Sequence, residues 1–188
     1  PSVAGLLLEK EYTTITKAMK APTRPLVAVM GGAKISDKIP IIKQFIAKAD
    51  SILIGGAMAN TFLAYRGYDV GKSTAEFDQK EVLDAIYEVA RDKVDGEVDE
   101  FIVLPSDVAV AKEINEAQER RVIAVDKIRP DDRALDIGDQ SIDRFTSIIG
   151  KAGTVIWNGP VGYATLQNFA HGSARIALAL ATHPEIES

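Results

Sequence analysis

The sequence predicts an α/β fold: a doubly wound parallel sheet with helices on both faces. Three observations carry this. Short apolar runs alternate with helix-period runs along the chain. The strand-like runs are continuously apolar rather than alternating, which suits strands covered on both faces. Three of them end in glycines: Gly31-Gly32, Gly55-Gly56 and Gly159 with Gly162.

Five runs read as strands of this sheet. Leu26–Met30 closes at Gly31-Gly32, and Ser51–Ile54 closes at Gly55-Gly56. Phe101–Leu104 stops at Pro105, Val122–Val125 at Asp126, and Thr154–Trp157 at Asn158-Gly159-Pro160. Three helices lie between or after them. Ile35, Ile39, Ile42, Phe45 and Ile46 recur at three- and four-residue steps, with Lys38, Lys43 and Lys48 off the stripe. Glu76 to Lys93 reads as the second helix, and Asn168 as the cap of a third through Ile176, Leu178 and Leu180. Asp92–Glu100 and Lys127–Gly138 read as loops. The first twenty residues form an amphipathic helix candidate. There is no internal repeat.

Composition narrows the function classes. The chain has 188 residues, a length suited to one domain, with 46 % apolar and 26 % charged residues. Its net charge of −5 argues against a general nucleic-acid binder, although a local basic pocket is compatible with it. No cysteine is present, so neither disulfides nor thiolate metal sites arise, and a reducing compartment suits the chain. No apolar run reaches the length of a membrane span. The chain opens Pro1-Ser2-Val3, with no initiator methionine and no basic-then-apolar leader. That opening reads as a processed or excised piece without a signal peptide.

Ligands of open parallel sheets bind outside the carboxyl ends of the strands, where these glycines fall. Any one glycine pair suits a plain tight turn, but three at one edge point to a cleft. Gly31-Gly32-Ala33-Lys34-Ile35-Ser36-Asp37-Lys38 is the most informative segment. Lys34 and Lys38 share one face of a helix start, an end already positive from aligned peptide dipoles. An anionic ligand resolves that conflict, and unpaired backbone N–H groups would help hold it. The bland alternative is two solvated lysines. The segment is neither a Walker A loop nor a dinucleotide fingerprint. Asn158 at a strand end suits either a ligand hydrogen bond or a turn start. Trp157 reads as core, His171 as part of a helix pattern and His183 as a residue before Pro184 at the chain end, and Asp107 suits either a helix cap or a functional role. No spacing suggests a structural metal.

These segments resemble the phosphoglycerate kinase family. The likeness rests on Gly5-Leu6-Leu7-Leu8-Glu9-Lys10-Glu11, the lysine segment, and Gly55-Gly56-Ala57-Met58-Ala59-Asn60-Thr61-Phe62. It also rests on Leu104-Pro105-Ser106-Asp107, Leu135-Asp136-Ile137-Gly138 and Trp157-Asn158-Gly159-Pro160-Val161-Gly162. The resemblance implies residues 1–20 as an interdomain helix and 21–188 as a Rossmann-like nucleotide-binding lobe. That lobe is expected to be incomplete: a closing Gly-Gly-Gly-Asp segment and the substrate lobe fall outside these residues.

The implied activity is a cytoplasmic, glycolytic phosphoryl transfer between ATP or ADP and the carboxylate of 3-phosphoglycerate. Magnesium accompanies the nucleotide, and its matched ligand lies in the segment this chain lacks. A nucleotide-binding module without catalysis is the alternative. By resemblance, Lys34 is the catalytic lysine that follows the transferring phosphoryl group, and Lys38 holds the nucleotide phosphates. Gly32, Gly55 and Gly56 form the shelf for adenine, and Leu135 is an apolar wall. Asn158, Pro160 and Gly162 form the turn beside ribose and phosphates, with Tyr163 at an adenine-contacting position. Thr165 stands where the family usually has a glutamate for the ribose hydroxyls. A threonine makes one hydrogen bond there, not a charge-assisted pair.

Overall fold

The computed structural model describes residues 19–188. The helix candidate over residues 1–20 lies outside these, apart from helical Met19 and Lys20. Four parallel strands form the main sheet: β1 (Leu26–Met30), β2 (Ser51–Ile54), β3 (Ile102–Val103) and β7 (Thr154–Asn158). Their order is β3-β2-β1-β7. β1 therefore has the next strand in sequence on one side and the last on the other. That reversal is the switch point at which open α/β sheets hold ligands.

β1 shows why its run is apolar throughout. Leu26, Ala28 and Met30 face one side and pack with Phe45, Phe62 and Leu83. Val27 and Val29 face the other and pack with Ile142, Phe145 and Ile176. A period of two, with both faces buried, leaves no polar position in the strand. The first face is covered by α1 (Ile39–Lys48), α2 (Gly56–Tyr65) and α3 (Lys80–Lys93). The second is covered by α5 (Asp139–Ile149) and α6 (His171–Ala181). A four-residue helix, α4 (Val98–Phe101), leads into β3. The doubly wound α/β fold is thus present.

The fourth expected strand departs from the pattern. Arg121–Ala124, β5, lies in a separate antiparallel sheet with β4 (Asp107–Ala111) and β6 (Arg133–Ile137), in the order β5-β4-β6. β5 is only half-buried, so its apolar run does not report a strand covered on both faces. β4 and β6 occupy stretches whose acids read as a cap and a loop. Asp107 does cap a helix, but a distant one. Its carboxylate accepts from the backbone N–H of Gln140 (3.1 Å) and Ser141 (2.8 Å), at the start of α5.

Smaller shifts have local causes. The helix at Ile35 opens as a 3₁₀ turn, Ser36–Lys38, before α1. The helix placed at Glu76 starts at Lys80, because Glu76 is engaged elsewhere. Asn168 is not a cap: α6 starts at His171, and the Asn168 amide donates to the carbonyl of Gln118 (3.0 Å). Trp157 is half-buried rather than core, and its Nε1 donates to the Gly159 carbonyl (2.7 Å).

Candidate functional site

The three glycine turns meet at the carboxyl ends of β1, β2 and β7 and are laced together by backbone hydrogen bonds. Gly31 N donates to Asn158 O (3.0 Å), and Gly32 N to Pro160 O (2.9 Å). Gly55 N donates to Met30 O (2.8 Å), and Gly56 N to Val161 O (2.6 Å). The turns come too close for side chains. A β-carbon at Gly31 would stand 2.8 Å from the Gly159 carbonyl oxygen and nearer still to that of Pro160. Gly56 also has a φ of 64°, in the left-handed region that glycine adopts at no steric cost.

A cleft of about 360 Å³ opens over this junction. Of the residues singled out from the sequence, Gly32, Gly56, Leu135, Pro160, Gly162, Tyr163 and Thr165 line it. Gly55 and Asn158 lie behind the lining, as the supports just described. Thr74, Ile114 and Ala134 also line its wall and carried no signal in the sequence: Ala134 falls in a segment read as a loop, and Thr74 and Ile114 in stretches without a pattern. Two supports hold that wall. Tyr163 N donates to Leu135 O (2.7 Å). The buried amide of Asn60, on α2, donates to Thr74 O (3.2 Å) and Ala134 O (3.4 Å).

Lys38 brings charge to the junction itself. Its Nζ donates to Gly31 O (2.6 Å) and Asn158 O (3.3 Å), between the β1 and β7 turns. Partial burial pushes its pKa down from 10.5. Lys34 is exposed on the same turn.

Two of the backbone donors at this turn, Ile35 N and Ser36 N, are already engaged. The Glu76 carboxylate accepts from Ile35 N (2.5 Å), Ser36 N (3.2 Å) and the Ser36 hydroxyl (2.7 Å). Burial pushes the Glu76 pKa up, but those three donors outweigh it and hold it below its ordinary value. Full positive charge at this turn is carried by the ammonium groups of Lys34 and Lys38.

Behind the β7 turn lies Asp136, only 4 % exposed. Its carboxylate accepts from Ile137 N (2.9 Å) and, at the start of α6, from Gly172 N (2.9 Å). Burial lifts its pKa to about 7, against the pull of those N–H groups and of Arg120.

Fold and site define an open α/β protein with a cleft at its switch point, apolar along one wall and cationic at the glycine junction. The phosphoglycerate kinase family model matches residues 1–187, and the chain belongs to that family. A phosphoglycerate kinase of Roseiflexus sp. (strain RS-1) is 44 % identical over 184 residues, which is 98 % of this chain and 45 % of that protein. One from Listeria welshimeri is 43 % identical over 180 residues, 96 % of this chain and 43 % of its own length. The solved phosphoglycerate kinase of Coxiella burnetii superposes with a TM-score of 0.86 at 34 % identity, covering 95 % of this chain and 45 % of that one. That of Pyrococcus horikoshii OT3 gives 0.73 at 28 %, covering 98 % and 46 %. The chain thus spans under half the length of these relatives.

Proposed function

We propose that this chain is the nucleotide-binding part of a glycolytic phosphotransferase that moves a phosphoryl group between ATP or ADP and the carboxylate of 3-phosphoglycerate. The observation that carries this reading is the cleft at the switch point with the Lys38 ammonium at the meeting of the β1 and β7 turns, in a chain of this family. In this reading the base lies along Leu135, Ala134 and Tyr163, and the sugar lies near Thr165. The phosphates point to the glycine junction, where Lys38 moves from the carbonyls to meet them. Lys34 follows the phosphoryl group in transit.

Phosphoryl transfer asks the protein mainly for position and positive charge, since charge spreads over three oxygens in the transition state. The two lysines suit that task. Magnesium in this family's chemistry screens the phosphates when bound with the nucleotide. The cleft lining contains no carboxylate. Among the described residues no three His, Cys, Asp or Glu side chains group as a metal site. The described residues therefore do not fit a protein-held magnesium. No helix among them is long and apolar enough to cross a membrane.

Titration with ADP tests the reading. Lys38→Ala is expected to weaken binding about tenfold or more, the worth of a charge-assisted contact, while Lys43→Ala leaves it unchanged. Lys43 is an exposed lysine on α1, the helix that follows the turn carrying Lys38. Equal effects from the two substitutions would refute the phosphate role.

A further inference from the structure

We propose that Glu76 is a positioning residue of this cleft: it locks the lysine-bearing turn 34–38 and ties it to the cleft wall at Thr74. The inference rests on the nucleotide reading above.

Glu76 comes from a loop about forty residues further along the chain, not from the turn it holds. One of its carboxylate oxygens accepts both N–H groups that open the 3₁₀ turn, Ile35 N and Ser36 N. The other accepts the Ser36 hydroxyl. Three donors on one carboxylate fix its orientation, and with it the orientation of the turn. The residues held lie between Lys34 and Lys38.

Glu76 is itself anchored. Its backbone N–H donates to Thr61 Oγ1 (3.0 Å), and Thr61 lies on α2, the helix that begins at Gly56. The preceding residue on α2, Asn60, holds the Thr74 carbonyl (3.2 Å). One turn of α2 thus secures the cleft wall at Thr74 and, two residues on, the carboxylate that secures the lysines. The distance between wall and lysines is set through this path. A free turn would carry its ammonium groups over a range of positions, and positional looseness at a charged contact costs affinity and rate.

A simple capping role and a positioning role differ in what they do to binding. Loss of a mere cap lowers the population of folded chain and so weakens every ligand alike. Loss of a positioning residue weakens the phosphate contacts and spares the contacts of the base.

The test compares ADP with adenosine by calorimetric titration on the whole chain, with hydrogen exchange at the Ile35 and Ser36 amides. Glu76→Ala is expected to cut ADP affinity about tenfold while adenosine affinity holds, and both amides exchange faster. Glu76→Gln keeps an oxygen for the N–H groups and offers its NH₂ to the Ser36 hydroxyl, so it is expected to recover most of the loss. If Glu76→Ala weakens both ligands equally, or neither, the positioning role is overturned and the nucleotide reading stands. If the unaltered chain binds ADP no better than adenosine, the nucleotide reading fails and this inference fails with it.

Discussion

Asp136 makes stability depend on pH in an unusual direction. Most carboxylates are ionised more easily in the folded state, and acid then weakens the fold. Asp136 is the reverse: its ordinary value is 3.8 and its folded value about 7, because burial outweighs its N–H partners. Between those values the folded chain binds a proton that the unfolded chain releases. Raising the pH therefore costs stability, and the cost is complete above the folded value. At about 1.4 kcal/mol per pH unit the full penalty is about 4 kcal/mol. Integrated between roughly pH 5 and pH 8, the loss is about 2.5 kcal/mol. Asp136→Asn removes the titration. Its amide oxygen serves only one of the two N–H groups, so at low pH the variant lies about 1–3 kcal/mol below the unaltered chain. Urea unfolding at several pH values reads both effects. The unaltered chain is expected to weaken towards pH 8 and the variant to show a flatter profile, so that the curves converge there. Parallel profiles would refute the reasoning, since any other titrating group contributes equally to both proteins.

Two further substitutions probe the cleft. Thr165→Glu places a carboxylate on its lining and is expected to tighten ADP binding about tenfold, with no such gain for a 2′,3′-dideoxy analogue; an equal gain for both in a titration would exclude contact with the ribose. Gly31→Ala forces a β-carbon against the Pro160 carbonyl, where only backbone can yield, and is expected to cost about 1–3 kcal/mol in urea unfolding; an unchanged midpoint would show that the turns are not locked together.

What could be read from the sequence follows physical rules. β1, β2 and β7 were legible because strands buried on both faces are apolar without interruption and end where the chain must turn sharply. The glycines at the three strand ends were legible for the related reason that few other residues fit turns packed so closely. The antiparallel sheet was not. Asp107, Asp132 and Asp136 are all buried, and acids in a sequence read as surface or turn. Asp107 is satisfied by Ser141, and Asp132 by Arg121 (2.6 Å), partners that adjacency does not reveal. α2 was hidden because six of its ten residues are buried, which erases the polar face that marks a helix. Glu76 looked like the start of a helix because its role depends on a turn that precedes it by forty residues.

The hydrogen bonds from Gly31 and Gly32 to Asn158 and Pro160 have a consequence for the order in which the protein becomes competent. Among the described residues they join the first strand of the main sheet to the last, across more than a hundred intervening residues. Contacts so distant in sequence form late, after the entropy of closing the intervening chain has been met. The cleft floor therefore does not exist in any partly folded state that lacks β7, however complete β1, β2 and their helices are. On a ribosome, a nascent chain therefore has no cleft floor until β7 has emerged and docked. A ligand that grips this junction then stabilises the finished state alone and leaves earlier ones untouched. Binding of such a ligand would report the docking of β7 onto β1.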